Sequence, residues 1–473
     1  MFSIIKTILN EKFLPFKTYF LTLENLAFMN LSWHPFKLKT FQFSILVMFT
    51  AFSVSITSAQ SSLSPDEEVI LQKVTENNDE ALSFLEEVVN INSGTLNTSG
   101  VKEVGKVFSK AFDKIGFNTS WKEMPAEMER AGHLFATTQG NQGKRLLLIG
   151  HLDTVFEADS EFQQFEKIND TVAKGPGAND MKGGNVVVLY ALKALYEAGL
   201  LNDAQITVAF TGDEESTGKP LSISRKDLID AAKNSDIALG FETSTGFDNA
   251  TVARRGSSNW KVTVKGKRAH SSGIFGESVG AGANFELARI LNQFYEEVRG
   301  EDLLSFNPGM MLGGTTMDLK AKESKGSIFG KGNVVAQTAY VQGGLRFISE
   351  EQKERARTKM REIVSQNLPH TSAEVIFQDS YPAMKPTPEN YELLEDLSRV
   401  SQDMGQPAVL AYDPGKRGAA DVSFVAEYVA CLDGLGTMGT GAHTPSETVY
   451  LNTIETLTQR TALLIYRLIQ QQR

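Results

Sequence analysis

Past Asp66 the apolar positions switch repeatedly between two periodicities, and this switching predicts the fold class. Apolar residues at three- and four-residue spacing mark amphipathic helices at Glu80–Ile91 and Val101–Ile115. Strand patterns follow at His133–Thr138 and Arg145–Gly150, then a helix at Gly184–Ala198 and strands at Gln205–Thr211 and Asp236–Phe241. The runs Leu146-Leu147-Leu148-Ile149 and Ile206-Thr207-Val208-Ala209-Phe210 are apolar on both faces. Strands of that kind belong in the middle of a sheet covered by helices on both sides. Helices and strands in alternation make this an α/β protein.

From Asn259 the grammar changes. Trp260-Lys261-Val262-Thr263-Val264 alternates strictly, and a helix is expected from Val279 to Tyr295. Strands near Met310–Leu319 and Val334–Phe347, a helix at Glu350–Gln366 and a strand at Ala373–Phe377 complete the order β-α-β-β-α-β. That order is the ferredoxin-like split unit, an α+β domain inserted into the first. The stretch Lys320–Gly332, rich in Lys, Gly and Ser, reads as a loop within it. After Pro386 the α/β grammar resumes, with a strand near Val429–Leu432 and a final helix near Ile454–Gln470. The insert is therefore set at residues 255–383, and the first domain is split into 66–254 and 384–473.

A chain of 473 residues has room for two such domains. Its formal charge of -10 argues against a nucleic-acid partner, since phosphate binding relies on clustered Lys and Arg. The single cysteine, Cys431, lies in the apolar run Tyr428-Val429-Ala430-Cys431-Leu432 and reads as a buried strand thiol, not a nucleophile.

Residues 1–59 read as an N-terminal extension and signal peptide. Phe41–Ala59 carries no charge, follows Lys37 and Lys39, and ends in the small residues Thr57-Ser58-Ala59. Met29 stands at the expected distance before this apolar core, so the start is expected there. Cleavage near Ala59 predicts a secreted or periplasmic protein with no stable membrane association afterwards.

The candidate chemistry gathers at strand ends. His151 and Asp153 follow the strand ending at Gly150. Asp180 lies in Gly175-Pro176-Gly177-Ala178-Asn179-Asp180-Met181-Lys182-Gly183-Gly184, a turn-rich loop opening a helix. Glu214 and Glu215 follow Thr211, Glu242 follows Phe241, and His443 lies in Gly439-Thr440-Gly441-Ala442-His443. Taken singly, a His-x-Asp, a Glu-Glu or a Gly-Pro-Gly is a surface or turn feature. Acid and imidazole closing four apolar strands is what a two-metal hydrolase needs, because ligands in open α/β sheets collect beyond the carboxyl ends of the strands.

The strings Gly150-His151-Leu152-Asp153-Thr154-Val155, Gly175-Pro176-Gly177, Asp180-Met181-Lys182-Gly183-Gly184 and Asp213-Glu214-Glu215 resemble the di-zinc aminoacylase and carboxypeptidase family. Gly266-Lys267-Arg268-Ala269-His270-Ser271 resembles its inserted lid, and the glutamate carboxypeptidase branch looks closest. The resemblance implies a zinc-peptidase-like three-layer α/β/α catalytic domain with a ferredoxin-like lid that also dimerises the chain. It implies two zinc ions per subunit, with other divalent metals such as Co or Mn as alternatives. Asp180 would bridge them, His151 and Glu242 completing one site and Glu215 and His443 the other. Glu214 would be the general base and Asp153 the partner orienting His151. His270 would stabilise the oxyanion, reaching in from a partner subunit, while Arg346, Asn333 and Gly418 would hold the substrate.

The implied activity is hydrolysis of an amide beside a C-terminal free carboxylate in a small peptide or N-acyl amino acid, with glutamate as the released residue. An N-acyl-amino-acid deacylase or dipeptidase would use the same site, and a secreted metal- or peptide-binding protein is the non-enzymatic alternative. Two features depart from the family pattern. The loop reads Lys416-Arg417-Gly418-Ala419-Ala420-Asp421 in place of a Gly-Gly-Thr-type string, and the strand before Tyr381-Pro382 lacks the arginines common in the glutamate-releasing branch.

Overall fold

The computed structural model describes residues 63–473 except Asn202 and residues 321–323. The signal segment expected at 1–59 lies outside the described residues. The described residues from Leu63 to Arg473 form one compact unit. No helix among the described residues is long and apolar enough to cross a membrane.

The first helix, α1 (Pro65–Val89), starts fifteen residues before the expected one. Its first half is too polar to show a strong stripe, but its start is fixed by a capping box between Ser64 and Glu67 and by Pro65 in the first turn. α2 (Thr98–Lys114) leads to β1 (Asn118–Lys122) and β2 (His133–Thr137), and β3 (Gln142–His151) follows. Then come α3 (Lys182–Glu197), β4 (Ala204–Thr211), α4 (Lys226–Lys233) and β5 (Ile237–Gly240).

The lid contributes β6 (Gly256–Lys265), α5 (Gly282–Glu297), β7 (Ser305–Gly314), β8 (Thr338–Phe347), α6 (Glu350–Ser365) and β9 (Ser372–Asp379). The chain then returns through α7 (Pro388–Asp403), β10 (Ala430–Leu432) and α8 (Leu451–Gln470).

The main sheet runs β1-β2-β4-β3-β5-β10. Its last four strands are parallel, so Thr211, His151, Gly240 and Leu432 end side by side at one edge. Leu146 and Leu148 pack with α1, α3 and α8, while Leu147, Ile149, Ala238 and Cys431 pack with Leu228 and Ala232 on the other face. Two apolar faces require two helical layers, which gives the α/β/α arrangement. Cys431 is fully buried in this core, and burial pushes its thiol up, so it is not a nucleophile.

The lid has its own core around Trp260, Phe294, Leu345 and Met360. Its antiparallel sheet runs β7-β8-β6-β9, the ferredoxin-like order, with α5 and α6 on one face. The segment Lys320–Gly332 is not wholly a loop: Lys325–Phe329 forms a strand paired with Thr316–Lys320. The strand expected over Met310–Leu319 correspondingly breaks at Thr315, whose N–H bonds the Phe329 carbonyl, and turns into this hairpin. Asn333 lies in the turn before β8, which begins only at Thr338.

The two chain crossings into the lid run side by side. Ser257 N–H bonds the Tyr381 carbonyl at 2.8 Å, and Arg254 and Met384 exchange main-chain hydrogen bonds at 2.9 and 3.0 Å.

Candidate metal centre

His151 is the last residue of β3 and is buried. Asp180 reaches it because α3 begins tight against the neighbouring strand end. A Cβ on Gly184 would lie 2.1 Å from the Phe241 carbonyl oxygen, so only glycine lets the helix approach that closely. Asn185, one residue further, donates its amide to the His151 carbonyl at 2.6 Å.

Asp180 faces both histidines with different oxygens. Its Oδ1 lies 3.5 Å from His151 Nε2, and its Oδ2 lies 3.2 Å from His443 Nε2. Glu242 adds Oε1 at 3.8 Å from His151 Nε2, and Glu215 adds Oε2 at 3.1 Å from His443 Nε2. His151, Asp180 and Glu242 thus form one cluster with ligand atoms within 4.8 Å, and Asp180, Glu215 and His443 form a second. Glu214 groups with His151 and Glu215 in a third.

Four carboxylates in so small a volume repel one another. Burial, reinforced by Asp180, pushes Glu242 up to about 8. Burial also raises Glu214 well above the ordinary carboxylate range, with Glu242 and Asp421 adding to it, and raises Glu215. Asp180 moves the other way: burial opposes its charge, but His151 and His443 hold it low. His443 is pushed up to about 11 by its bonds to Asp180 and Glu215.

Both imidazoles are accordingly pushed up, His151 against the opposing effect of burial, and so offset the charge of this acid cluster in the metal-free chain. His151 Nδ1 faces the Asp153 carbonyl at 2.9 Å, while the buried Nε2 makes no hydrogen bond. A ring nitrogen left without a partner among carboxylates is the arrangement of a metal ligand whose other nitrogen is held by a hydrogen bond. Carboxylate oxygens and imidazole nitrogens are also the donors that divalent zinc takes. The residues present fit two divalent ions sharing Asp180.

Surrounding groups hold this geometry. The Asp153 carboxylate accepts Thr95 Oγ1 at 2.6 Å and the N–H groups of Glu214 and Glu215 at 3.0 and 3.1 Å. It fixes the turn carrying both glutamates as well as facing His151, a broader task than orienting an imidazole. Beneath that turn, the buried Arg225 guanidinium bonds Asp213 at 2.5 Å and Asp421 at 2.8 Å. Tyr381, at the lid boundary, donates to the Glu214 carbonyl. Arg417 donates to the Thr243 carbonyl at 2.8 Å, one residue beyond Glu242. Buried Glu447 accepts N–H from Asn179 and Asp180 at 2.9 and 3.0 Å. Thr95, Arg225, Tyr381, Arg417 and Glu447 carry no local signal of these roles, since each acts on a residue distant in sequence.

None of the proposed substrate groups makes a hydrogen bond to the cluster among the described residues. His270 is exposed and bonds Ser272, and none of its hydrogen bonds reaches the carboxylates. The Asn333 carbonyl accepts Ser271 N–H at 3.0 Å, so His270 and Asn333 sit together on the lid. Arg346 is exposed near the end of β8. Gly418 faces open space, and its carbonyl accepts Arg254 at 2.9 Å.

Known proteins share this organisation. The profile of Peptidase family M20/M25/M40 matches residues 147–467. Carboxypeptidase G2 of Pseudomonas sp. (strain RS-16) is 27% identical over 406 residues, covering 84% of this chain and 90% of that protein. Among solved structures, the aminopeptidase PepT of Bacillus cereus ATCC 10987 superimposes with a TM-score of 0.65 at 18% identity, covering 83% of this chain and 99% of its own. The Bacillus subtilis YXEP protein, a dinuclear metal-binding peptidase from the M20 family, gives a TM-score of 0.58 at 11% identity, covering 84% and 99%. The chain belongs to peptidase family M20/M25/M40 and is a metallopeptidase.

Proposed function

We propose that this metallopeptidase is a two-zinc carboxypeptidase that hydrolyses the amide beside a free C-terminal carboxylate in a small peptide or N-acyl amino acid. The observation that carries the reading is Asp180, with one oxygen toward His151 and the other toward His443. In this reading Asp180 would be shared by both ions, with His151 and Glu242 holding one and Glu215 and His443 the other. Cobalt or manganese suits the same donors. Glutamate is the proposed released residue, in keeping with the similarity to a carboxypeptidase.

When bound, the ions supply Lewis acidity that polarises the amide carbonyl and makes a water deprotonate near neutral pH. Glu214 takes that proton as attack begins and passes it to the leaving amine. Burial, with Glu242 and Asp421 adding to it, raises Glu214 above the ordinary carboxylate range in the metal-free chain, which favours its accepting a proton. Asp153 holds the Glu214 N–H and so fixes the base against the cluster. His270 donates to the developing oxyanion from the lid of a partner subunit in a homodimer, a role left open by its exposure and its bonding to Ser272 alone. Arg346 and Asn333 take the substrate carboxylate, with the Gly418 loop beneath it.

The protein would act outside the inner membrane after cleavage near Ala59. N-terminal sequencing of exported protein tests this, and a start upstream of Phe41 would overturn it. The activity is tested by screening acyl-amino acids and dipeptides against zinc-loaded protein and identifying the released products. Release of a free C-terminal amino acid with two bound metals per chain supports the reading. The same screen separates a deacylase or dipeptidase, and two bound metals without turnover on any substrate would leave a binding protein.

A further inference from the structure

Glu214 lies in the turn after β4, outside any helix or strand, so no ladder of main-chain bonds fixes it. A general base tolerates little error in placement, since a misplacement of about 1 Å can cost about 10²-fold in rate. Other groups must therefore hold the turn still.

The peptide groups on both sides of Glu214 are held. Its own N–H is donated to Asp153 at 3.0 Å. The next peptide, which joins Glu214 to Glu215, is gripped from two directions. Its N–H goes to the same Asp153 carboxylate at 3.1 Å, and its carbonyl accepts the Tyr381 hydroxyl at 2.5 Å. One half of the grip comes from the catalytic domain just beyond β3, and the other from the chain as it returns from the lid.

Tyr381 is itself fixed from both domains. Its carbonyl accepts the N–H of Ser257 in β6 at 2.8 Å, which ties its main chain to the lid. Its ring packs against Phe424 with centroids 4.9 Å apart, and the buried Arg225 guanidinium lies over the Phe424 ring at 5.2 Å. The phenol oxygen also lies 2.9 Å from Thr217 Oγ1, further along the turn that carries the base. A phenol has one proton, and here it goes to the Glu214 carbonyl, so Thr217 donates to the phenol oxygen. With that proton committed, the hydroxyl is no donor to a substrate oxyanion. Its task is to hold the turn.

We infer that Tyr381 is a positioning residue for the base: from the lid crossing its hydroxyl fixes the Glu214–Glu215 peptide, so that losing this one hydroxyl displaces Glu214 without removing a metal ligand. This rests on the reading of Glu214 as the base and adds the group that aligns it.

Tyr381→Phe keeps the ring against Phe424 and deletes the hydroxyl. In zinc-loaded protein it should lower kcat by about 10- to 100-fold, with KM within about twofold, on the best substrate from a panel of N-acyl amino acids and dipeptides. Chelator competition should show zinc affinity unchanged, because every proposed ligand remains. Thr217→Val removes the donor behind the phenol and should lose less. The double variant should lose no more than Tyr381→Phe alone, the non-additivity of two groups acting in series. Amide hydrogen exchange followed by mass spectrometry needs no substrate. Tyr381→Phe should speed exchange in peptides spanning Glu214 to Thr217 and leave β6 and β8 of the lid as in wild type. Unchanged kcat, unchanged exchange in that turn, or a loss of kcat that tracks lost zinc would overturn the inference. Faster exchange in Tyr381→Phe, with no turnover by wild type on any member of the panel, would instead sink the hydrolase reading and leave the Tyr381 clamp standing.

Discussion

The Glu447 carboxylate accepts the main-chain N–H of Asp180 at 3.0 Å, tying the C-terminal part of the catalytic domain to the loop that carries the shared carboxylate. Gly177 and Asn179 donate to the same group, so Asp180 is held by an acid 267 residues away. Partners that orient metal ligands typically govern affinity by 10- to 100-fold. Glu447→Ala should weaken zinc binding by about that factor with all five proposed ligands intact, and Glu447→Gln, which keeps an acceptor oxygen, should lose less. Competition with a zinc chelator measures both.

Glu214→Gln should leave two metals bound while abolishing turnover, because the base is lost and the proposed ligands remain. Elemental analysis and kcat decide the point together. A variant with more than about a tenth of wild-type kcat removes Glu214 from the base role, since general-base catalysis contributes about 10²–10⁴-fold.

Metal uptake should release protons. In the metal-free chain Glu242 is pushed up to about 8 and His443 up to about 11, so both carry protons at pH 7 that a metal must displace. Affinity should therefore rise with pH through about 8 and fall as pH drops below it. Zinc titrations in buffers of different ionisation enthalpy should show at least one proton leaving per chain. Heats independent of the buffer would contradict this.

His270→Ala should lower kcat by about 10²–10³, the usual effect of removing one oxyanion donor, with metal content unchanged. Mixing it with Glu214→Gln should restore activity if each site borrows its histidine from the partner. No recovery despite demonstrated subunit exchange would assign His270 to its own chain.

Arg225→Ala should destabilise the fold by about 3–5 kcal/mol, because Asp213 and Asp421 would remain buried without their shared cation. Urea denaturation measures the loss. Arg225→Met, similar in volume but uncharged, should not rescue it, which separates charge from packing.

The fold and the metal centre were legible to different depths. Apolar runs such as Leu146–Ile149 showed which strands lie in the middle of the sheet, because burial on both faces is written in consecutive residues. His151, Asp180, Glu215, Glu242 and His443 stood out as candidates because each lies after a strand or before a helix, and their grouping followed from the family resemblance of the surrounding motifs. What holds them could not be named, since Glu447, Arg225 and Tyr381 act through contacts of long sequence separation. The hairpin Thr316–Phe329 was missed because Gly326, Ser327 and the lysines give no alternation: its strand Lys325–Phe329 is exposed throughout. An exposed edge has no face for a core to select. The start of α1 was missed for a similar reason, polar residues blurring a stripe that the Ser64 cap had already begun.

The crossings at Arg254–Ser257 and Tyr381–Met384 lie hydrogen-bonded beside each other, so the lid leaves the catalytic domain where it entered. Such an insert is topologically silent. Residues between Ser257 and Tyr381 can be lost, gained or exchanged without rethreading the main sheet, and a short turn would close the gap. The same economy makes the lid a module that can be grafted, with Tyr381 as the seam that donates to the Glu214 carbonyl.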